Sequence, residues 1–370
     1  MRVSEVTLTH VRVPMVEPFR ISSGVAAEKD AIVARVRAGG LTGWGESSPM
    51  AGSFYSTDTP ESCWKEMCEA LAPAIVGREF TSPEEGARAL EEIPASNFAR
   101  AGLETALWDL EAQRLETPLH GLLGGVRERV ESGLAVGLYD DIEQMLAAIE
   151  RHLAEGYKRV KIKIERGRDV ELVAAVRGRF GDIPLMVDAN GAYSLRDLPV
   201  FRELDEFGLM MIEQPFPAKM LAETAQLQRW IHTPVCLDES LETGADLARA
   251  LQFGSLRIAN IKIQRVGGFA AAIRMAELCR AHSIPVWIGT MPELGIGQAQ
   301  GAALASISAC AFPTDVESSA RWFRDDIVEP WIEVRDGWIA LPQRPGLGYR
   351  VDEEKLARYA VTSRSFGEAA

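Results

Sequence analysis

The sequence has few cysteines, few histidines and no long hydrophobic run. Its five cysteines are odd in number and mostly far apart, which is typical of reduced thiols and argues against a disulfide framework. The five histidines form no HxH or HxxxH pair, which argues against a histidine-rich zinc site. No segment reaches the ~20 apolar residues that span a membrane, and the N-terminal "MRVSEVTLTHVRVPM" alternates like a strand instead of resembling a signal peptide. We therefore expect a cytoplasmic protein without a membrane partner.

Basic residues are also outnumbered by acidic residues. The chain has 40 basic and 53 acidic residues, a net charge of −13, and it contains no basic tract. This balance disfavours binding to a phosphate backbone, so we expect no nucleic-acid partner. The length of 370 residues is enough for two globular domains, one of which could be a long barrel.

The chain divides into three segments by pattern. Residues 1–125 begin with alternating strands and continue as helices, and the glycines of "LTGWGE" predict turns. Residues 126–320 alternate short aliphatic strands with helical stretches. Residues 321–370 lose this rhythm, and we expect them to fold back on the N-terminal domain.

The middle segment predicts a barrel. Most of its strands, such as "PLMVDAN", "LMMIEQP" and "PVCLDES", are apolar on both faces, which is typical of a parallel sheet covered by helices. Seven or eight such units at this spacing favour a (β/α) barrel, with a weak last strand at 314–318. The alternative is a doubly wound sheet, but that fold usually has a glycine-rich phosphate turn after its first strand, which "GLAVGLYDD" does not supply.

Charged residues recur at one position of successive units. Lys163, Asp188, Glu213, Asp238 and Lys262 are separated by 25, 25, 25 and 24 residues. Barrel active sites form at the C-terminal ends of the strands, so this spacing would bring three carboxylates to one point with a lysine on either side. Taken singly, each acid could be a helix N-cap and each lysine a solvated residue. The regular spacing favours a common site.

Three adjacent carboxylates would repel one another, and a hard divalent cation would relieve this repulsion. Mg²⁺, with Mn²⁺ as an alternative, takes oxygen ligands of this kind. The cation and charged neighbours would lower the pKa of the lysines toward the range of a general base. Lys161 shares a strand face with Lys163, and Arg265 follows Lys262, so we expect both to be auxiliary residues. The site predicts proton abstraction next to the carboxylate of a small-molecule substrate, without an organic cofactor.

In these motifs the chain resembles the enolase superfamily, specifically its muconate-lactonizing-type subgroup and the o-succinylbenzoate synthase / N-acylamino acid racemase branch. The matching motifs stand in order: the K-x-K of "KIKIE", the Asp of "VDAN", the Glu of "IEQP", the Asp of "LDES" and the Lys of "NIKI". "PFRISSG" and "GWGESSPMAGSFYS" extend the similarity toward the N-terminus. The set of five spaced residues is specific, whereas any one motif alone would be weak.

The resemblance implies a (β/α)7β TIM-like barrel under an α+β capping domain formed by the N-terminal region and the C-terminal tail. It implies Mg²⁺ at the three acids, acid/base catalysis by Lys163 and Lys262, and assembly into a homo-oligomer.

The resemblance also implies that cap loops close over the substrate. This would account for the large apolar residues Phe19, Met50 and Tyr55 in predicted loops. Asn190 and Met291 are further substrate-binding candidates, although Asn190 could be a turn residue and Met291 could belong to the barrel core.

Two reactions fit this resemblance: dehydration to o-succinylbenzoate in menaquinone biosynthesis, and racemisation of N-acyl amino acids, including N-succinyl ones. Both lysines are present, so the chain permits either, and we expect the synthase first with racemase activity alongside. A dipeptide epimerase is an alternative, because Asp315 and Glu317 could hold a substrate ammonium. Muconate cycloisomerase is another, and a non-catalytic barrel is the weakest. Ala135 stands where the family often has serine, and "GTMPELG" differs from the commoner "GGMxETG", so substrate identity is less defined than mechanism.

Overall fold

A computed structural model describes residues 1–21, 24–52 and 56–367 of the chain. Two large sheets of different kinds, one of four strands and one of seven, organise it, and two smaller sheets of two strands each accompany them. The strands are β1 (Val3–Ile21), β2 (Gly24–Ala38), β3 (Leu41–Ser47), β4 (Arg129–Glu131), β5 (Leu134–Val136), β6 (Val160–Lys163), β7 (Leu185–Asp188), β8 (Ile212–Glu213), β9 (Val235–Leu237), β10 (Ile258–Ile261), β11 (Val286–Ile288), β12 (Val328–Glu329), β13 (Trp338–Ala340), β14 (Arg350–Val351) and β15 (Ala360–Gly367).

Helices cover both large sheets. They are α1 (Pro60–Glu66), α2 (Ala72–Ile75), α3 (Pro83–Glu91), α4 (Asn97–Arg114), α5 (Leu119–Leu122), α6 (Ile142–Leu153), α7 (Asp169–Phe180), α8 (Leu198–Asp205), α9 (Leu221–Trp230), α10 (Gly244–Phe253), α11 (Ile263–Val266), α12 (Phe269–Ala281), α13 (Gly295–Ala305), α14 (Ser319–Trp322) and α15 (Glu353–Arg358), with a π-helical turn at Met67–Leu71 and a 3-10 turn at Leu195–Asp197. Across the three described ranges, no helix is both long and apolar enough to cross a membrane.

The cap is an antiparallel sheet of four strands in the order β15-β1-β2-β3. Its strands alternate as predicted, and β15 from the C-terminal end pairs along β1 from the N-terminal end. The two ends of the chain therefore build one domain, as expected for this fold class. The divisions of the chain at residues 125 and 320 stay predictions.

The glycines of "LTGWGE" do not form turns, so that expectation is wrong. Gly43 and Gly45 lie inside β3, where α4 crosses the sheet. A Cβ at Gly45 would lie 2.0 Å from the carbonyl oxygen of Gly102 in α4. Glycine is needed here because the helix backbone approaches the strand too closely for a side chain.

The barrel contains seven parallel strands in the order β5-β6-β7-β8-β9-β10-β11. This order follows the chain without reversal, which excludes the doubly wound alternative. The eighth predicted strand, 314–318, forms only isolated bridges, but it joins the two edges of the sheet. Gly133 N–H donates to Thr314 O (2.8 Å) on the β5 side, and Asp315 N–H donates to Ile288 O (3.0 Å) on the β11 side. The (β/α)7β architecture is therefore confirmed.

A buried carboxylate ties the cap to the barrel. Glu104 of α4 is 2% exposed and accepts hydrogen bonds from Phe269 N (2.8 Å) and Ala270 N (2.9 Å) at the start of α12, and from Trp108 Nε1 (2.7 Å). Glu104→Ala would leave these buried donors without an acceptor. We expect it to lower the free energy of unfolding by about 3 kcal/mol, measured by denaturant titration.

The chain offers a matched control. Glu91 in α3 also pairs with α12, through Arg274 at 2.5 Å, but the two side chains are 45% and 54% exposed. Exposed pairs contribute little, so Glu91→Ala should cost less than about 1 kcal/mol. Equal losses of unfolding free energy in the two variants would contradict the interpretation that the buried Glu104 carboxylate connects the cap to the barrel.

Candidate active site

Lys161 and Lys163 lie on β6 and face the barrel interior. Their side chains are nearly inaccessible, at 3% and 8% exposure, whereas Val160, Ile162 and Ile164 pack in the hydrophobic core outside the barrel. The strand alternation thus separates an apolar outer face from a charged inner face. The interpretation of these lysines as solvated surface residues is wrong.

The three predicted carboxylates lie at neighbouring strand ends. Asp188 is the last residue of β7, Glu213 is the last of β8, and Asp238 directly follows β9. Each is at most 1% exposed. The regular spacing in the sequence therefore corresponds to one buried acidic row at the C-terminal ends of three adjacent strands.

A lysine binds each outer member of this row. Lys163 Nζ donates to Asp188 Oδ2 at 2.5 Å, and Lys262 Nζ donates to Asp238 Oδ2 at 2.9 Å. Arg265 binds the other oxygen of Asp238 and also donates from Nη2 to Asn260 O at 2.9 Å. Arg265 is thus beside Lys262, where the sequence places it as an auxiliary residue.

The two lysines lie on opposite sides of the barrel. Lys163 ends β6, the second strand of the ring, and Lys262 directly follows β10, the sixth. In a ring of eight positions closed by segment 314–318, the second and sixth are diametrically opposed. The arrangement therefore offers an ammonium or amine from either side of the cavity.

The carboxylates of the row have different proton affinities. Burial and the neighbouring Asp188 raise the pKa of Glu213 to about 8, although Lys161 opposes the shift. Burial also disfavours the Asp238 carboxylate, but Arg265 and Lys262 outweigh it and hold the pKa of Asp238 below its usual value. Negative charge is therefore compensated at Asp238 and insufficiently compensated at Glu213.

The donor set fits a hard divalent cation. Glu213 Oε1 accepts from Asn260 Nδ2 at 2.6 Å, but Glu213 Oε2 is buried and has no hydrogen bond to any described residue, with Lys161 Nζ 3.3 Å away. Within the described ranges, no three Asp, Glu, His or Cys side chains are yet arranged as a complete metal site. Lysine and arginine side chains hold the outer carboxylates in this arrangement. Three carboxylates and an oxygen without a hydrogen bond match the ligands that Mg²⁺ prefers.

Lys161 is held by a charged network that the sequence analysis did not include. Asp315 accepts from both Lys161 and Arg159, whose Nη2 lies 2.5 Å from Asp315 Oδ1. The Trp287 ring centroid lies 4.9 Å from each of the two cations. Burial disfavours the Lys161 ammonium, but Asp315 and Glu213 outweigh it and raise its pKa above the usual value. The signal for Arg159 was present, because it alternates with Lys161 and Lys163 on the same strand face.

A small cavity lies between the two catalytic lysine candidates and the cap. The predicted residues Phe19, Met50 and Met291 line it. Phe19 packs edge-to-face on Trp322, with ring centroids 5.0 Å apart. Tyr55 lies outside the described residues. The remaining lining residues are Ala135, Lys161, Lys163, Lys262, Thr290, Pro292, Asp315 and Trp322.

A larger depression lies against Arg129, Trp331 and Trp338. The residues that line it include none of the five regularly spaced charged residues. The chemistry therefore assigns the active site to the smaller cavity at the strand ends.

Asn190 contacts the acidic row. Its backbone is left-handed (φ 43°), and its Nδ2 donates to Glu239 Oε1 at 3.0 Å and to Asp188 Oδ2 at 3.4 Å. These contacts match a turn residue that orients Asp188. Contact between Asn190 and a substrate stays a prediction, and Glu239 is an acid near the site that the sequence analysis did not select.

Comparisons with known proteins identify the class. Residues 144–355 match the enolase C-terminal domain-like family, and residues 3–124 match the mandelate racemase / muconate lactonizing enzyme N-terminal domain. The chain therefore belongs to the enolase superfamily, in its mandelate racemase / muconate lactonizing enzyme group.

Relatives that match over their full length show which members of the superfamily the chain is similar to. An o-succinylbenzoate synthase of Geobacillus kaustophilus is 40% identical over 371 positions, covering 100% of this chain and 99% of the relative. An N-succinylamino acid racemase of Amycolatopsis is 40% identical over 349 positions, covering 94% and 95% of the two chains. A solved enolase-superfamily member from Listeria innocua superposes with a TM-score of 0.95 at 34% identity, with 99% of each chain covered.

Proposed function

We propose that this protein is an o-succinylbenzoate synthase that also racemises N-succinyl amino acids. The observation that carries the proposal is the placement of Lys163 and Lys262 on opposed strands, with three buried carboxylates on the strand ends between them. Relatives with both names, at 40% identity, support the same pair of reactions.

The two lysines would act on the proton next to the substrate carboxylate. One lysine removes this proton, and for racemisation the other returns a proton to the opposite face of the same carbon. Dehydration needs one base and a cation on the other side, and the substrate hydroxyl leaves as water with the proton that the base took up. Asp188, Glu213 and Asp238 would hold Mg²⁺, or Mn²⁺ in its place, and the bound ion would stabilise the negative charge that develops on the substrate carboxylate.

Lys161 has a different role in this proposal. Because Asp315 keeps it protonated, it is a poor base and serves as a fixed positive charge next to the acidic row. Such a charge attracts the substrate carboxylate and leaves proton transfer to Lys163 and Lys262.

The contacts of two acids disfavour the dipeptide epimerase alternative. Asp315 is bound by Arg159 and Lys161, and Glu317 accepts from Ala135 N at 2.7 Å and lies 3.7 Å from Arg321 Nε. Both acids are engaged by the protein's own donors and cations, so they are poorly placed to hold a substrate ammonium. This favours substrates whose amino group is acylated.

Isotope exchange tests the proposal directly. The protein is incubated in D₂O and Mg²⁺ with an N-succinyl amino acid, and in a second reaction with the cyclohexadiene hydroxy-acid precursor of o-succinylbenzoate. We expect deuterium at the α-carbon of both enantiomers in the first reaction and formation of the aromatic product in the second. Absence of both reactions would overturn the proposal.

Three wider expectations also belong to this proposal. We expect a homo-oligomer, a cytoplasmic location and a role in menaquinone biosynthesis. The family resemblance motivates the first and last of these expectations, and the free cysteines motivate the second. Light scattering would test the assembly, and loss of menaquinone in a deletion strain would test the pathway.

A further inference from the structure

Three charged side chains outside the proposed acid/base set are buried where the cap meets the barrel. They are Lys29 of β2, Glu46 of β3 and Glu293 in the loop after β11, and they are 3%, 0% and 4% exposed. We call them the seam cluster. Buried charges require partners, so their contacts indicate what they hold in place.

Lys29 joins two segments that are distant in the sequence. Its Nζ donates to Ser48 O at 3.2 Å, just after β3 of the cap, and to Met291 O at 3.1 Å, in the barrel loop after β11. A single ammonium thus connects the backbone of the cap to the backbone of the barrel. Burial lowers the pKa of Lys29, and Glu46 and Glu293 oppose this shift.

The two carboxylates of the seam cluster hold the same segments. Glu46 accepts from Leu294 N and Gly297 N, both at 2.8 Å, at the start of α13. Glu293 accepts from Met291 N at 2.9 Å. The loop between β11 and α13 is therefore fixed by hydrogen bonds to Glu46 of the cap and to Glu293 of the loop itself. Lys29 connects the cap to the same loop.

The segments that Lys29 connects carry walls of the catalytic cavity. Met50 is two residues beyond Ser48, and Met291 provides the acceptor carbonyl itself. Both methionines line the cavity. A shift of either segment would change the apolar part of the cavity and leave Lys163 and Lys262 on their strands.

We propose that Lys29 is a positioning residue that sets substrate specificity, by holding Met50 and Met291 at a fixed separation against the side chain of an N-acyl amino acid. This inference rests on the proposed function, because it assigns a contact to that substrate class. Lys29 itself does not touch the reacting atoms, so its loss should alter selection between substrates more than proton transfer.

The test compares Lys29→Met with Lys65→Met, an exposed lysine on α1. The values of kcat/KM are measured for N-succinylalanine and N-succinylphenylalanine, and amide hydrogen exchange is followed in residues 46–52 and 290–297. We expect the ratio of the two kcat/KM values to change by about tenfold in Lys29→Met, through KM, since two buried hydrogen bonds from a charged donor are lost. Exchange should become faster in both segments, and Lys65→Met should match the wild type in both measurements.

Glu293→Gln is the second variant, because it keeps the shape and an acceptor for Met291 N but removes a charge that faces Lys29. Glu293→Gln should change the ratio of the two kcat/KM values in the same direction as Lys29→Met, but by a smaller factor. Unchanged ratios of kcat/KM together with unchanged amide exchange in folded variants would overturn the inference. A failure of both variants to fold would also overturn it, because the seam cluster would then be purely structural. If the wild-type protein turns over neither N-succinyl amino acid, the racemase part of the proposed function fails for these substrates, whereas hydrogen exchange still tests the connection that Lys29 makes.

Discussion

Replacing Lys163 or Lys262 by alanine is expected to reduce racemisation by about 10³-fold or more in kcat/KM, because each lysine serves one face of the substrate. The two side chains lie at the ends of the second and sixth strands of the ring, so neither can reach the position of the other. Chiral chromatography of N-succinyl amino acids after incubation with each variant provides the measurement. Loss in only one of the two variants would contradict the two-base arrangement.

Arginine variants separate the two reactions more sharply. Arginine keeps a positive charge but does not lose its proton in proteins, so Lys163→Arg and Lys262→Arg should both stop racemisation. Dehydration needs one base and one cation, so one of these two variants should still form o-succinylbenzoate. The variant that forms none identifies the base, because in it the lysine that removes the proton has been replaced. Lys219→Arg, at an exposed position before α9, is the control and should keep both activities. Racemisation at the wild-type rate in either active-site arginine variant would overturn the mechanism.

The features that could be predicted from the sequence are those that repeat along it. The βα unit length placed five charged residues at equivalent strand ends, and the alternation of "RVKIKI" placed Lys161 and Lys163 on one face. Both placements follow from strand geometry alone. Side chains two residues apart on a strand share a face, and residues one βα unit apart occupy equivalent strand ends. The capping fold followed from the family resemblance and from the loss of rhythm after residue 320.

The features that could not be predicted depend on segments that meet only in the folded chain. The sequence allows Asp315 as a ligand for a substrate ammonium, whereas in the structure Asp315 binds Arg159 and Lys161, more than 150 positions earlier in the chain. The pairing of Lys29 with the carbonyl of Met291 spans 262 positions, and no local pattern signals it. Likewise, Gly45 is required by the approach of α4, and its own neighbours in the sequence indicate only a turn. Contacts between segments that are distant in the sequence decide each of these.

Removal of divalent cations is expected to abolish both activities, and Mg²⁺ should restore them. The acidic row gives the reason: burial and the charge of Asp188 raise the pKa of Glu213 to about 8, so a cation that neutralises the row would be bound favourably. Binding can be measured without turnover, by titration calorimetry and by the rise in melting temperature that a ligand of the folded state produces.

Neighbouring acids provide a matched pair of variants for this prediction. Asp238→Asn removes a proposed ligand and should weaken Mg²⁺ binding by more than the roughly 10–100-fold that loss of an outer hydrogen-bonding partner costs. Glu239→Gln changes the next residue, which contacts Asn190 and not the row itself, and should cost no more than that. Equal affinity in Asp238→Asn and the wild type, or turnover that persists after chelation, would contradict the assignment of the acidic row as the metal site. The row would then have to hold its charge through Lys163, Lys262, Arg265 and Lys161, and Lys161, 3.3 Å from Glu213 Oε2, does not by itself offset the burial that raises the pKa of Glu213.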